Sequence, residues 1–252
     1  LTPPTTGSVP AGTSAVVSQV LDGDSFRAQI EGTEHEVRLL GINTPERGEC
    51  FDRPARDQAR LLLAGQSVTL VSGDEDRDQF DRLLRYVFLA DGTHVNLRLV
   101  EAGAGLALSG EHPRLAEFKA AEVTAFANRQ GRWAETACGP ATTARISIVE
   151  LLFDADGPDG DNPNGEWIVI QNQGSDPIAL SGWTLRDESS QHRFTFEDST
   201  LGPGTEIRIR SGCGEDTEDD LYWCAADAVW SNGGDTAYLA DPSGNVVARR
   251  GY

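Results

Sequence analysis

The sequence predicts two domains in succession: an α+β unit built on a small five-stranded barrel with about three helices, then an all-β sandwich. Three observations carry this. Residues 15–138 mix short alternating strands with helical apolar stripes; from residue 145 onward only alternating runs occur, separated by Gly, Asp, Asn and Pro; and GPATTA at 139–144 has the composition of a linker. At 252 residues the chain is long enough for two domains with cores of their own. No apolar run approaches the roughly 18 residues of a membrane-spanning helix.

In the first domain, residues 1–14 (LTPPTTGSVPAGTS) lack hydrophobic periodicity and read as a flexible linker. Strands are expected at Ala15–Val20, Ser25–Ile30 and Glu34–Leu40, joined by turns at Asp22-Gly23-Asp24 and Glu31-Gly32-Thr33. A helix should follow, with Asp52 as its N-cap, Pro54 in its first turn, an apolar stripe at Ala55, Ala59, Leu62 and Leu63, and an end at Gly65. Strands Ser67–Val71 and Arg85–Leu89 flank a charged loop, Gly73–Arg82. A short helix, Asn96–Ala102, stops at Gly103. A longer one, about Pro113–Asn128, should bury Leu115, Phe118, Ala121, Ala125 and Phe126. Five short strands with one helix inserted and others appended fit a Greek-key barrel of the oligonucleotide-binding (OB) type.

The second domain should have strands at Arg145–Phe153, Glu166–Asn172, Ile178–Leu180, Trp183–Arg186, His192–Phe196, Thr205–Arg210, Thr236–Ala240 and Val246–Arg250. Strands of this length with turn residues between them argue for a β-sandwich. Trp167, Trp183 and Trp230 read as core anchors, and Asp154–Asn164 as a polar acidic loop that lacks the terminal Glu of an EF-hand.

The net charge is −19, of which residues 1–140 contribute only −6. Such an acidic chain is not a passive polyanion binder, although a metal ion and a few arginines can supply local positive charge. The four cysteines, Cys50, Cys138, Cys213 and Cys224, form no CxxC or Cys/His cluster, which argues against zinc. Two lie in or beside the first domain and two in the second; this even division favours two disulfides over buried thiols, and with them an exported protein. A chain starting at Leu1 and lacking Met fits one whose leader has been removed. The four histidines are scattered, against a His-based site, and no Ser/His/Asp order or glycine-rich phosphate loop stands out.

The chemistry concentrates in Leu21–Glu46: Asp22-Gly23-Asp24, Arg38 on a strand, and the turn Asn43-Thr44-Pro45-Glu46. Carboxylates, an amide oxygen, a hydroxyl residue and a guanidinium suit one task, holding a hard cation against a phosphodiester. Each motif alone is ordinary turn or surface chemistry; their combination is not.

Asp22-Gly23-Asp24-Ser25, Arg38-Leu39-Leu40 and Asn43-Thr44-Pro45-Glu46 resemble the staphylococcal nuclease (thermonuclease) family. So do Asp78-Gln79-Phe80-Asp81-Arg82 with Tyr86 and Asp91-Gly92, the helix end Leu99–Gly103, and Trp133. The resemblance covers about residues 15–136 and implies hydrolysis of DNA and/or RNA with Ca2+, breaking the 5′ P–O bond to leave 3′-phosphates. It assigns side-chain oxygens of Asp24 and Asn43 and the Thr44 carbonyl to Ca2+. Glu46 would orient or deprotonate the attacking water, and Arg38 and Arg82 would grip the phosphate. Phosphoryl transfer depends on positioning and charge stabilisation, and a planar guanidinium reaches two phosphate oxygens at once.

Two departures from the family carry expectations. Asn43 stands where the prototype has Asp, so the site loses a negative charge and should bind Ca2+ more weakly. The nucleotide-stacking tyrosine segment has no counterpart in Ala104–His112, and Phe80 replaces a tyrosine, so base stacking should be reduced. A Cys50–Cys138 bridge would tie the turn after Glu46 to the end of the domain, contributing about 4–5 kcal/mol by loop closure.

In the second domain, Ile146–Leu152, Gly165–Asn172, Leu180–Leu185, Leu201–Gly204 and Trp230–Asp235 are similar to the lamin-tail domain, an immunoglobulin-like sandwich, over about residues 145–252. In bacteria that domain is often joined to secreted hydrolases, so an accessory role in contact with the cell envelope or an extracellular polymer is expected of it. The competing reading is a non-catalytic nucleic-acid- or envelope-binding protein; the presence of Arg38, Glu46 and Arg82 favours the enzyme.

Overall fold

The computed structural model describes residues 9–157, 161–189 and 191–252. The chain divides into two compact units between Ala134 and Glu135.

In the first unit, strands β1 (Thr13–Val20), β2 (Ser25–Ile30) and β3 (Thr33–Leu39) form an antiparallel meander. The β2–β3 turn places both Glu31 and Gly32 in the left-handed region, the geometry whose twist matches a two-residue hairpin. Alternation sends Phe26, Ala28, Val37 and Leu39 into the core and Arg38 to the opposite face. A two-residue strand β4 (Ile42–Asn43) and helix α1 (Asp52–Leu63) follow, then β5 (Ser67–Arg77) and β6 (Leu83–Leu89). Strand order β1-β2-β3-β6-β5 closes into a barrel, β3 and β6 running parallel. Helix α2 (Val95–Glu101), β7 (Leu106–Ala107), α3 (Leu115–Ala127) and a 3-10 turn at Gly131–Trp133 complete the unit. Gly103 has no room for a Cβ: one there would collide with the Gln130 carbonyl, where the turn leading to Trp133 docks on the end of α2.

Several local expectations are corrected. Asp52 is the first residue of α1 rather than its cap. Phe51 holds the cap position with φ 70°, and the Asp52 carboxylate instead accepts the Gly48 N–H at 2.7 Å. The charged loop is largely strand, since β5 runs on to Arg77 through an irregularity in its pairing with β6. Leu115 and Phe126 are only half-buried, and the deepest polar group of α3 is Glu122, which accepts the Ala107 N–H at 3.3 Å. The pair β4–β7 is too short to leave a periodic signal.

The second unit is an immunoglobulin-like sandwich. Its strands are β8 (Ile146–Leu152), β9 (Trp167–Asn172), β10 (Ile178–Ala179), β11 (Thr184–Arg186), β12 (Arg193–Thr195), β13 (Thr200–Leu201), β14 (Glu206–Arg210), β15 (Asp220–Tyr222), β16 (Thr236–Ala240) and β17 (Val246–Gly251). Two four-stranded sheets, β12-β11-β16-β17 and β15-β14-β9-β8, share one core containing Ile168, Ile170, Leu185, Ile207 and Leu239, with β10–β13 as a small third sheet. Trp183 and Trp230 are core residues. Trp167 is not: it is half-buried on the other face of its sheet, with the Arg208 guanidinium 4.7 Å from its ring centroid. The loop Asp154–Asn164 lies partly outside the described residues. Cys213 and Cys224 are bonded to each other, Cys50 and Cys138 are also disulfide-bonded, and no cysteine is free.

Candidate functional site

The β1–β2 turn is the floor of the site. Asp22 Oδ1 accepts the N–H groups of Asp24 (3.0 Å) and Ser25 (2.6 Å), an Asx turn that points Asp24 inward, where it is 6% exposed. Asp24 Oδ2 accepts the Thr44 N–H (2.6 Å) and hydroxyl (2.8 Å), and Oδ1 accepts the Ser25 hydroxyl (3.2 Å). This closure requires Gly23, because a Cβ there would fall 2.6 Å from Thr44 Oγ1. Burial, with Asp24 beside it, pushes the Asp22 carboxyl up to about 6.

Asn43 lies on β4, paired with Leu106 of β7. The turn between β3 and β4 is held by Asn96, which is fully buried. Its Nδ2 donates to the carbonyls of Leu40 (2.9 Å) and Arg85 (3.1 Å), and its Oδ1 accepts the Val87 N–H (3.0 Å). The Arg38 guanidinium turns into the loop so fixed. Nη1 donates to Leu39 O (3.0 Å) and Ile42 O (2.9 Å) and lies 3.3 Å from Asp24 Oδ2; Nη2 donates to Asn43 Oδ1 (3.2 Å).

Glu46 is exposed, two residues beyond Thr44, on a tight turn: Glu49 N–H donates to Glu46 O (2.9 Å), and Glu49 Oε2 accepts Glu46 N–H (3.0 Å). Disulfide-bonded Cys50 and the Asp52–Gly48 bond fix the exit of that turn. In the parallel β3–β6 ladder Arg38 faces Leu84, and Arg82 lies immediately before β6. Asp78 holds it, accepting from the Arg82 backbone N–H (3.0 Å) and Nε (2.7 Å). Burial opposes ionisation of Asp78, but the hydrogen bonds from Arg82 prevail and keep its carboxyl below the usual range. Phe80 is 69% exposed, its ring centroid 5.3 Å from the Arg82 guanidinium.

The structure thus brings Asp24, Arg38, Asn43 and Thr44 into direct contact, leaves Glu46 exposed two residues beyond Thr44, and holds Arg82, just before β6, with Asp78 as its partner. The donors assigned to a cation are all oxygens, one carboxylate with an amide and a backbone carbonyl, a set that suits a hard divalent ion such as Ca2+. It is a lean set: among the described residues no three His, Cys, Asp or Glu side chains converge as metal ligands. A cavity of about 740 Å³ between α2 and α3, lined by residues such as Leu97, Arg98 and Ala121, includes none of these residues.

Residues 36–135 match the family model described as staphylococcal nuclease homologue, and residues 139–252 match that of the lamin tail domain. The chain is a staphylococcal-nuclease domain followed by a lamin tail domain. The nuclease domain is 35% identical over 88 residues to an "uncharacterized endonuclease" of Escherichia coli, covering 35% of this chain and 56% of that protein. It is 32% identical over 98 residues to the thermonuclease of Staphylococcus intermedius, covering 36% of this chain and 58% of that protein. Endonuclease YhcR of Bacillus subtilis is 27% identical over 138 residues, 48% of this chain and 11% of the relative. The chain therefore spans a little over half the length of the first two relatives. The stretch matched to the nuclease family model starts at residue 36, so Asp24 lies outside it, and the two Thr44 donors tie it to the matched residues.

Sequence reading of the nuclease domain missed three supports: Ser25, Asn96 and Glu49. Asn96 and Glu49 gave no signal beyond being polar; Ser25 adjoins the Asp-Gly-Asp turn, but nothing in sequence shows its hydroxyl facing Asp24.

Proposed function

We propose that this chain is a Ca2+-dependent nuclease that hydrolyses phosphodiester bonds of DNA and/or RNA, breaking the 5′ P–O bond and leaving 3′-phosphates. One observation carries the reading. Asp24, reached across 20 residues by both donors of Thr44, joins Arg38 and Asn43 in one hydrogen-bonded cluster, and Glu46, two residues beyond Thr44, is exposed.

Asp24 Oδ, Asn43 Oδ1 and the Thr44 carbonyl would hold the cation, which when bound supplies positive charge to the phosphate oxygens. The chain's own groups do the rest. Glu46, exposed and held from below by its turn, accepts a hydrogen bond or the proton from the attacking water. Arg38 on β3 and Arg82 just before β6 donate to the non-bridging oxygens as charge accumulates on them. Phe80 offers the phosphate-gripping Arg82 a ring face, but no tyrosine platform accompanies it, so bases contribute little to binding. Site residues drawn from strands and short turns of a closed barrel stay positioned without a moving lid.

The lamin tail domain we assign an accessory role, contact with the cell envelope or an extracellular polymer, and the disulfides fit an exported protein. No helix among the described residues is long and apolar enough to cross a membrane.

The test is cleavage of a labelled single strand by wild type and Glu46→Gln, each with Ca2+ and with chelator. Cleavage is expected only with Ca2+, and to fall at least about a hundredfold in Glu46→Gln. Equal cleavage in all four conditions would sink this mechanism, whereas no cleavage in any of them would leave a non-catalytic binding role standing.

A further inference from the structure

The β3–β4 turn, which brings Ile42 and Asn43 to Arg38, is held at more than one point. Asn96 takes the Leu40 carbonyl, and the next carbonyl, that of Gly41, accepts the Leu108 N–H at 2.9 Å. Leu108 directly follows β7, whose Leu106 and Ala107 pair with Asn43 and Ile42. Its own carbonyl lies 3.2 Å from His112 Nε2, and His112 Nδ1 lies 3.1 Å from the hydroxyl of the buried Tyr86 on β6. A carbonyl only accepts, so Nε2 carries the proton and, in the neutral ring, Nδ1 accepts the Tyr86 hydroxyl. The imidazole also packs on the turn itself: Gly41 has φ 72°, and a Cβ there would lie 2.9 Å from both His112 Cε1 and Phe118 Cε2. The segment Ala104–His112, which contains no tyrosine, thus closes on the turn that carries the site.

We propose that His112 is a positioning residue for the reaction. It ties the end of β7 to Tyr86, and through the Leu108–Gly41 hydrogen bond it sets the turn from which the Ile42 carbonyl and Asn43 Oδ1 hold Arg38. The inference rests on the nuclease reading given above. Among the described residues His112 bonds only to Tyr86 and Leu108, so it acts on Arg38 and Asn43 through the turn and not by touching substrate. Displacing groups that act on the transition state lowers turnover, while ground-state binding changes less, so the loss belongs in kcat and not in KM.

The deciding experiment measures kcat and KM on a labelled single strand with Ca2+, together with amide hydrogen exchange of the metal-free full chain by NMR. It compares wild type, His112→Phe, His112→Gln and Tyr86→Phe. His112→Phe keeps a ring against Gly41 and loses both hydrogen bonds; kcat should fall about tenfold with KM within about twofold. In the same variant the Leu108 amide should exchange at least about tenfold faster, while amides of the β2–β3 ladder keep their protection. His112→Gln, whose side-chain amide can still donate to the Leu108 carbonyl, should recover most of the kcat. Tyr86→Phe removes one hydroxyl and should lower kcat about threefold, which keeps the test if His112→Phe does not fold. Unchanged kcat in folded variants, a Gln variant no better than Phe, or protection lost equally across the barrel overturns the positioning role and leaves the nuclease reading intact. Wild type that cleaves nothing overturns the nuclease reading itself, and this proposal with it.

Discussion

Among the buried acids of the lamin tail domain, Asp187, Glu188 and Asp235, each at most 5% exposed, act on one another. Asp187 is satisfied by the Ser189 hydroxyl (2.8 Å to each oxygen) and by His192 Nδ1 (2.7 Å). Asp235 accepts the N–H groups of Thr236 (2.6 Å) and Ser231 (3.3 Å) and is hydrogen-bonded to Glu188. Burial, then the charges of Glu188 and Asp187, push its carboxyl up to about 8. The folded domain therefore keeps a proton that the unfolded chain, with an ordinary aspartate near 3.8, has released. Stability from this group is complete below about pH 4 and drains away as pH rises toward 8. Each factor of ten in proton affinity is about 1.4 kcal/mol, so the loss is at most about 6 kcal/mol; rearrangement within the acid cluster lowers the expectation to about 2–4 kcal/mol. Asp235→Asn carries a permanent N–H donor toward Glu188 and cannot ionise. Four of the five tryptophans, Trp167, Trp183, Trp223 and Trp230, lie in this domain, so tryptophan fluorescence during thermal unfolding of the full chain reports mainly on it. Wild type should lose on the order of 10 °C in midpoint between pH 5 and 9 relative to Asp235→Asn. Parallel midpoint-against-pH curves for the two proteins would refute the reasoning.

Two further predictions concern the nuclease domain. His94 is stacked 4.5 Å from Phe88, neither ring nitrogen has a hydrogen-bond partner among the described residues, and burial, with Arg114 second, pushes its ring down to about 4. Its neutral form is the one the fold accepts, so stability present above about pH 6.5 is lost as pH falls toward 4. His94→Phe should raise acid stability by about 1–2 kcal/mol near pH 4.5, read by far-ultraviolet circular dichroism of the helices, which lie in this domain; an unchanged acid midpoint refutes it. Glu49→Ala removes the acceptor beneath the Glu46 N–H and should lower kcat about tenfold with KM nearly constant, whereas Glu49→Gln, which keeps an oxygen acceptor, should recover most of it. A Gln variant no better than Ala would mean that the carboxylate's charge, not its hydrogen bond, matters.

Strands with a strict alternation were legible almost to the residue: β2 and β16 fall at Ser25–Ile30 and Thr236–Ala240, where pattern alone puts them. So were helices ended by glycine, as at Gly65 and Gly103. Elements stabilised only by what they meet were not. The two-residue strands β4 and β7, the run of β5 through charged residues, and the parallel strand β15 depend on partners distant in sequence. The assignment of Asp52 as a cap failed for a related reason: Gly48 offers its N–H to that carboxylate, and the cap position falls to Phe51 in a left-handed conformation. Trp167 was placed in the core because bulk suggested it, but strand parity turns it to the face where Arg208 covers it.

By itself the sequence determined the two-domain division, the barrel and sandwich classes, and the residue types gathered in the candidate site, because hydrophobic period, turn chemistry and short motifs are local properties. The tertiary structure alone decided how those residues engage one another. Barrel closure brings the Thr44 donors onto Asp24, and Asn96 holds the loop in which Arg38 contacts Asp24 Oδ2 and Asn43 Oδ1. Hydrogen bonds between groups 5 to 56 residues apart are set by packing and register, which no local pattern encodes.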